Sequence, residues 1–139
     1  MIQCAVQKRP PITGRMFADD AGPQGADRIM ARALNLSERL HAPHLLDIEV
    51  TDVLRRLVLQ KQITAARGKL ALDDLAKLVI ERHGHESLLG RIWQLRDSLT
   101  SYDAAYVALA EALHAPLSSC DGKLAGAHGH TAMIELIGE

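Results

Sequence analysis

The chain has 139 residues, about one domain's worth, and enough to bury a sizeable core without cross-links. Its 16 basic and 17 acidic residues leave a formal net charge of −1, so no long-range basic field draws nucleic acid to it. Cys4 and Cys120 lie far apart without ligand-like spacing, no stretch has the length of a membrane span, and Met1 to Val6 is too short for a signal-peptide core. A reduced, cytoplasmic protein is expected.

Along the chain, Met1 to Val6 has the content of a strand, ended by Lys8-Arg9-Pro10-Pro11. Thr13 to Gly25 carries Gly14, Gly22, Pro23 and Gly25 and reads as loop, so the first 24 residues form an atypical segment, altered or disordered. Ala26, Ile29, Met30, Ala33 and Leu34 then recur at helical spacing. A short strand is expected at Arg39 to Ala42. After Pro43, the apolar spacing of Leu45, Ile48, Val53, Leu54, Leu57 and Val58 predicts a helix to about Gln60.

Thr64 is placed to cap a helix reaching Lys77, and Leu78-Val79-Ile80 is a short run of strand type. Glu86 to Leu99 is expected to be helical, burying Leu88, Leu89, Ile92, Trp93 and Leu95. A helix opened by Asp103, a strand at Pro116 to Ser119, a short helix at Lys123 to Ala127 and a strand at Ala132 to Ile137 complete the order. Strands separated by helices need crossover connections. The expected fold is one α/β domain over residues 1–139, with a parallel central sheet flanked by helices.

Asp103 and Asp121 lie eighteen residues apart, one at a helix start and one just past a strand, and so can meet in the crevice at the carboxyl ends of parallel strands. Glu49 stands one turn into the helix after Pro43. Taken singly, each is accounted for as a helix-dipole complement or an N-cap. Together they make an oxygen-only cluster whose repulsion a hard divalent cation, Mg²⁺ or Mn²⁺, relieves.

Ser119 offers a hydroxyl to water or phosphate, or else satisfies its own strand end. The pairs His83-Gly84-His85 and His128-Gly129-His130 invite zinc, but the cysteines add no ligand; with Arg91, Arg96 and Lys123 the same histidines would line a weakly basic RNA groove. Cys120 has no identifiable base, and no glycine-rich phosphate loop is present.

The segments His41-Ala42-Pro43-His44-Leu45-Leu46-Asp47-Ile48-Glu49-Val50, Trp93-Gln94-Leu95-Arg96, Tyr102-Asp103-Ala104-Ala105-Tyr106-Val107-Ala108-Leu109-Ala110 and Ala115-Pro116-Leu117 through Asp121-Gly122-Lys123-Leu124-Ala125 resemble the PIN-domain ribonucleases of VapC type. These are the toxins of VapBC toxin–antitoxin pairs. The likeness runs from about Asp19 to Leu136. It implies a PIN-like α/β/α fold and an RNA-hydrolysing site in which four acidic residues hold Mg²⁺ or Mn²⁺. By position, Glu49 matches the second acidic residue, Asp103 the third and Asp121 the fourth, and Ser119 stands where a serine or threonine assists.

The resemblance also implies a VapB-type antitoxin partner and a homodimer built through the early helices. The family's first aspartate ends its first strand. Counting back from Asp19-Asp20-Ala21-Gly22-Pro23 puts that position near Lys8 to Pro10, or at Ala5 or Val6 if Met1 to Val6 is the strand, and none of these is acidic. A rival reading follows: a catalytically impaired PIN fold that only binds the antitoxin. A nuclease acting on DNA or flaps is a weaker third.

Overall fold

The computed structural model describes the backbone of residues 2–8, 14–19, 38–119 and 122–136, and the side chains of residues 39–119 and 122–136. Among the described residues six strands form one sheet: β1 (Ile2–Lys8), β2 (Gly14–Asp19), β3 (Glu38–Pro43), β4 (Ile80–His83), β5 (Leu117–Ser119) and β6 (Ile134–Leu136), in the spatial order β4-β3-β1-β2-β5-β6. The ladders β3–β4, β2–β5 and β5–β6 are parallel, whereas β1 pairs antiparallel with β2 and with β3. Five strands therefore run one way and β1 alone runs the other, which makes the sheet mostly parallel, as expected.

The N-terminal expectation needs correction. Residues Gly14–Asp19 are not loop but a strand, with Met16, Phe17 and Ala18 in register with Leu117, Ser118 and Ser119 of β5. Their apolar run is too short to stand out locally, and the strand is made by pairing on both sides, antiparallel with the preceding β1 and parallel with the remote β5. The helix expected from Gly25 to Leu34 lies outside the described residues.

The helices among the described residues are α1 (Leu45–Leu59), α2 (Ala65–Lys77), α3 (Leu89–Gln94), α4 (Ser101–Leu113) and α5 (Gly122–Gly126). Thr64 caps α2 as its sequence predicts, its Oγ1 accepting from Arg67 N at 3.1 Å. The strand expected at Leu78 to Ile80 instead begins at Ile80, because β4 takes its register from β3, Leu40 pairing with Ile80 and Pro43 with His83; Val79 is exposed. The long helix expected over Glu86 to Leu99 is broken into a 3₁₀ turn at Glu86–Leu88, α3, and turns through Ser98. Leu88, Ile92 and Leu95 are buried, but Trp93 is 68% exposed rather than in the core.

Two apolar clusters hold the layers together. One joins Leu40 and Ala42 of β3 and Ile80 of β4 to Leu46 and Val50 of α1. The other surrounds α4, in which every residue from Ala104 to Ala110 is buried. A helix apolar on all sides has to be covered on all sides, and the small alanines let α4 lie close against β1, β2, β3 and β5. No helix among the described residues is long and apolar enough to cross a membrane.

Candidate active site

At the carboxyl end of β3 the chain turns into α1, and His44 N donates to His83 O at 3.0 Å, which fixes the helix entry. Two acidic residues follow with different fates. Asp47 accepts a fork of bonds from Arg82, Nε to Oδ2 at 2.6 Å and Nη2 to Oδ1 at 2.7 Å, and so ties α1 to β4. Glu49 instead meets α4: Tyr106 Oη donates to Glu49 Oε1 at 2.6 Å.

Tyr106 is itself 1% exposed, so its hydroxyl is held by packing and delivered to Glu49 from a rigid wall. Asp103 lies one turn earlier on the same face of α4, near the positive end of the helix. Thr100 caps that end, its Oγ1 accepting from Asp103 N at 3.2 Å. Burial pushes the Glu49 carboxyl above the ordinary range; the Tyr106 bond works against the shift, and the Asp103 charge adds to it. Two sequence-predicted acids are thus brought within electrostatic reach of each other. Glu49 lines a small cavity of about 280 Å³ together with Leu45, Ile48, Asp52, Arg56 and Tyr102.

Ser119 ends β5, fully buried, in register with Ala18 of β2 and Leu136 of β6. Asp121 lies outside the described residues. The carboxyl ends of β2 and β5 are neighbours, and Asp19 is the last residue of β2. Next to the Glu49 cavity runs a larger apolar groove of about 640 Å³, with Leu45, Ile48 and Tyr102 common to both and Leu89, Ile92 and Trp93 on its far wall.

The histidine pairs do not assemble as spaced in sequence. His85 lines the apolar groove, His130 Nε2 bonds Leu124 O at 3.0 Å, and His83 meets His41, with His41 Nδ1 and His83 Nε2 2.9 Å apart. Nor is Arg91 open to RNA. Its guanidinium is locked by Glu111 at 2.7 and 2.9 Å and by Gly129 O at 2.8 Å, while Arg96 stacks 4.7 Å over the Trp93 ring. Sequence reasoning missed Tyr106 as a site residue. Its signal was present, one helical turn after Asp103.

No protein-family model matches the chain. It is 43% identical over 127 residues to Ribonuclease VapC1 of Mycobacterium tuberculosis (strain ATCC 25618 / H37Rv), covering 91% of this chain and 96% of that one. It is 41% identical over 115 residues to Ribonuclease VapC12 of the same strain, covering 83% and 87% of the two. VapC ribonuclease Mb0985 of Mycobacterium bovis (strain ATCC BAA-935 / AF2122/97) is 46% identical over 94 residues, 68% of this chain and 74% of the relative. Identity at this level over nearly the full length of a relative, on a mostly parallel sheet flanked by helices, places the chain in the family of VapC-type PIN-domain ribonucleases.

Proposed function

We propose that this chain is the toxin of a toxin–antitoxin pair, an endoribonuclease that hydrolyses RNA phosphodiester bonds with Mg²⁺ or Mn²⁺ held by Glu49, Asp103 and Asp121. The observation that carries the reading is the half-buried Glu49, fixed at 2.6 Å by Tyr106 and facing the charge of Asp103. Two neighbouring carboxylates, of which Glu49 is held at a cost to its charged form, suit a hard divalent cation, which restores charge balance there. Such an ion, when bound, lowers the pKa of water and stabilises the charge of the reacting phosphate.

The chain's own groups do the positioning. Tyr106 orients Glu49, and the capped first turn of α4 holds Asp103. Asp19 is added to the set because β2 ends on it beside the carboxyl end of β5, two residues before Asp121. That placement supports Asp19 as the carboxylate the N-terminal sequence otherwise lacks. Ser119, at the end of β5, is given the assisting role. The apolar groove beside the acidic cavity suits a VapB-type antitoxin segment with apolar side chains and a basic end. A homodimer in the cytoplasm completes the proposal.

The binding-only reading draws on a specific feature: β1 occupies the middle of the sheet, runs against its neighbours and contains no acidic residue. Cleavage of a total RNA pool with Mn²⁺ or Mg²⁺ separates the two. Activity that disappears with EDTA and falls at least about a hundredfold in Glu49→Gln and Asp103→Asn supports the enzyme. A folded protein that cleaves nothing at millimolar metal refutes it, and antitoxin binding is then the function left.

A further inference from the structure

The face of β3 and β4 opposite the Leu40 cluster carries an arrangement that the carboxylate site does not use. Strand alternation sends Leu40, Ala42 and Ile80 into the core and leaves His41, Glu81 and His83 together on the other face. The parallel register sets His41 beside Glu81, and His83 lies one step further along β4. His41 is 3% exposed, its Nδ1 2.9 Å from His83 Nε2 and 3.5 Å from Glu81 Oε2. One donor atom from each residue falls within 4.8 Å of the other two.

We infer that His41, Glu81 and His83 form a binding site for a divalent transition metal of the Zn²⁺ class, joining β3 to the edge strand β4. The donor separations suit bonds of about 2.0–2.2 Å from nitrogen and oxygen to one ion. The ring nitrogens now share a proton, one N–H donating to the other's lone pair. Each neutral imidazole retains one lone pair, so moving that proton to the far nitrogen of the donor ring frees both facing nitrogens without loss of charge.

Two imidazoles and one carboxylate select zinc-like ions over Mg²⁺, the reverse of the oxygen-only set around Glu49. Glu81, on the exposed side, leaves an entry path and room for water as a fourth ligand. Because β4 is the edge strand among the described residues and pairs there with β3 alone, an ion at this site adds a second tie between the two.

The test is titration of Zn²⁺ into the EDTA-stripped full chain by calorimetry, with Co²⁺ absorption reporting coordination and thermal melting reporting the clamp. The expected result is an equivalent bound with a rise in Tm that is weakened at least about tenfold in His83→Gln and in the exposed Glu81→Gln and retained in Glu49→Gln, whatever further Zn²⁺ the carboxylate site takes up. Circular dichroism shows that each variant is folded. No binding by the wild type, equal binding by folded His83→Gln, or loss in Glu49→Gln alone overturns the assignment. None of these readouts depends on RNA cleavage.

Discussion

Glu49 and Asp47 stand two residues apart in one helix and carry the same charge, yet they do opposite things. Asp47 is neutralised by a bidentate arginine, whereas Glu49 is half-buried against a tyrosine and a second carboxylate. The Tyr106 bond favours the ionised form of Glu49, so removing it raises the Glu49 pKa further. Tyr106→Phe should therefore keep its fold, weaken Mn²⁺ binding roughly tenfold at neutral pH, and move the acid limb of the pH–cleavage profile to higher pH. An unmoved limb would show that Tyr106 does not tune the site.

At the scale of elements, α4 combines a polar, capped amino end that holds Asp103 with a buried stretch from Ala104 to Ala110 that fills the core and carries the Tyr106 hydroxyl to Glu49. Thr100→Ala removes the hydroxyl that accepts from Asp103 N. A loss of about 1 kcal/mol is expected in urea unfolding, with a larger proportional loss of cleavage, because the same turn positions Asp103. A stability loss with cleavage unchanged would separate the cap from the chemistry.

Helices α1, α2 and α4 were legible, and so were the strands expected at Arg39 to Ala42, Pro116 to Ser119 and Ala132 to Ile137, which overlap β3, β5 and β6. The Thr64 cap placed α2, which runs Ala65–Lys77, and Asp103 signalled α4. Strand β2 was not legible, since Gly14 opens it, only Met16, Phe17 and Ala18 are apolar, and its partners lie on β1 and β5. The apolar stripe that predicts one helix over Glu86 to Leu99 is divided in three dimensions between core and groove. Periodicity marks which residues avoid water but not whether their own protein or a partner covers them.

Across the whole molecule, Arg91 joins three parts of the chain, holding Glu111 of α4 and Gly129 O near the C-terminal strand while sitting on α3. Arg91 depresses the Glu111 pKa, and a depressed carboxyl adds stability that is present above its unfolded pKa and lost as pH falls through the folded one. Arg91→Ala should cost about 1–2 kcal/mol at neutral pH. The difference between variant and wild type should then shrink as pH drops below the ordinary carboxylate range, measured by urea denaturation at several pH values. A pH-independent difference would assign the cost to packing alone.

The sequence by itself determined most of the order of helices and strands, through side-chain periodicity and capping, and the family resemblance, through its motifs; it also nominated Glu49 and Asp103 for the proposed site. Which acid met an arginine and which met a tyrosine depended on Arg82 and Tyr106, thirty-five and fifty-seven residues away from their partners. The docking of β2 beside β5 and the meeting of His41 with Glu81 and His83 likewise came from pairing between remote segments. Only the tertiary structure decided them, because a β-ladder is made by neighbours in space and its members carry no mark of one another in the local chain.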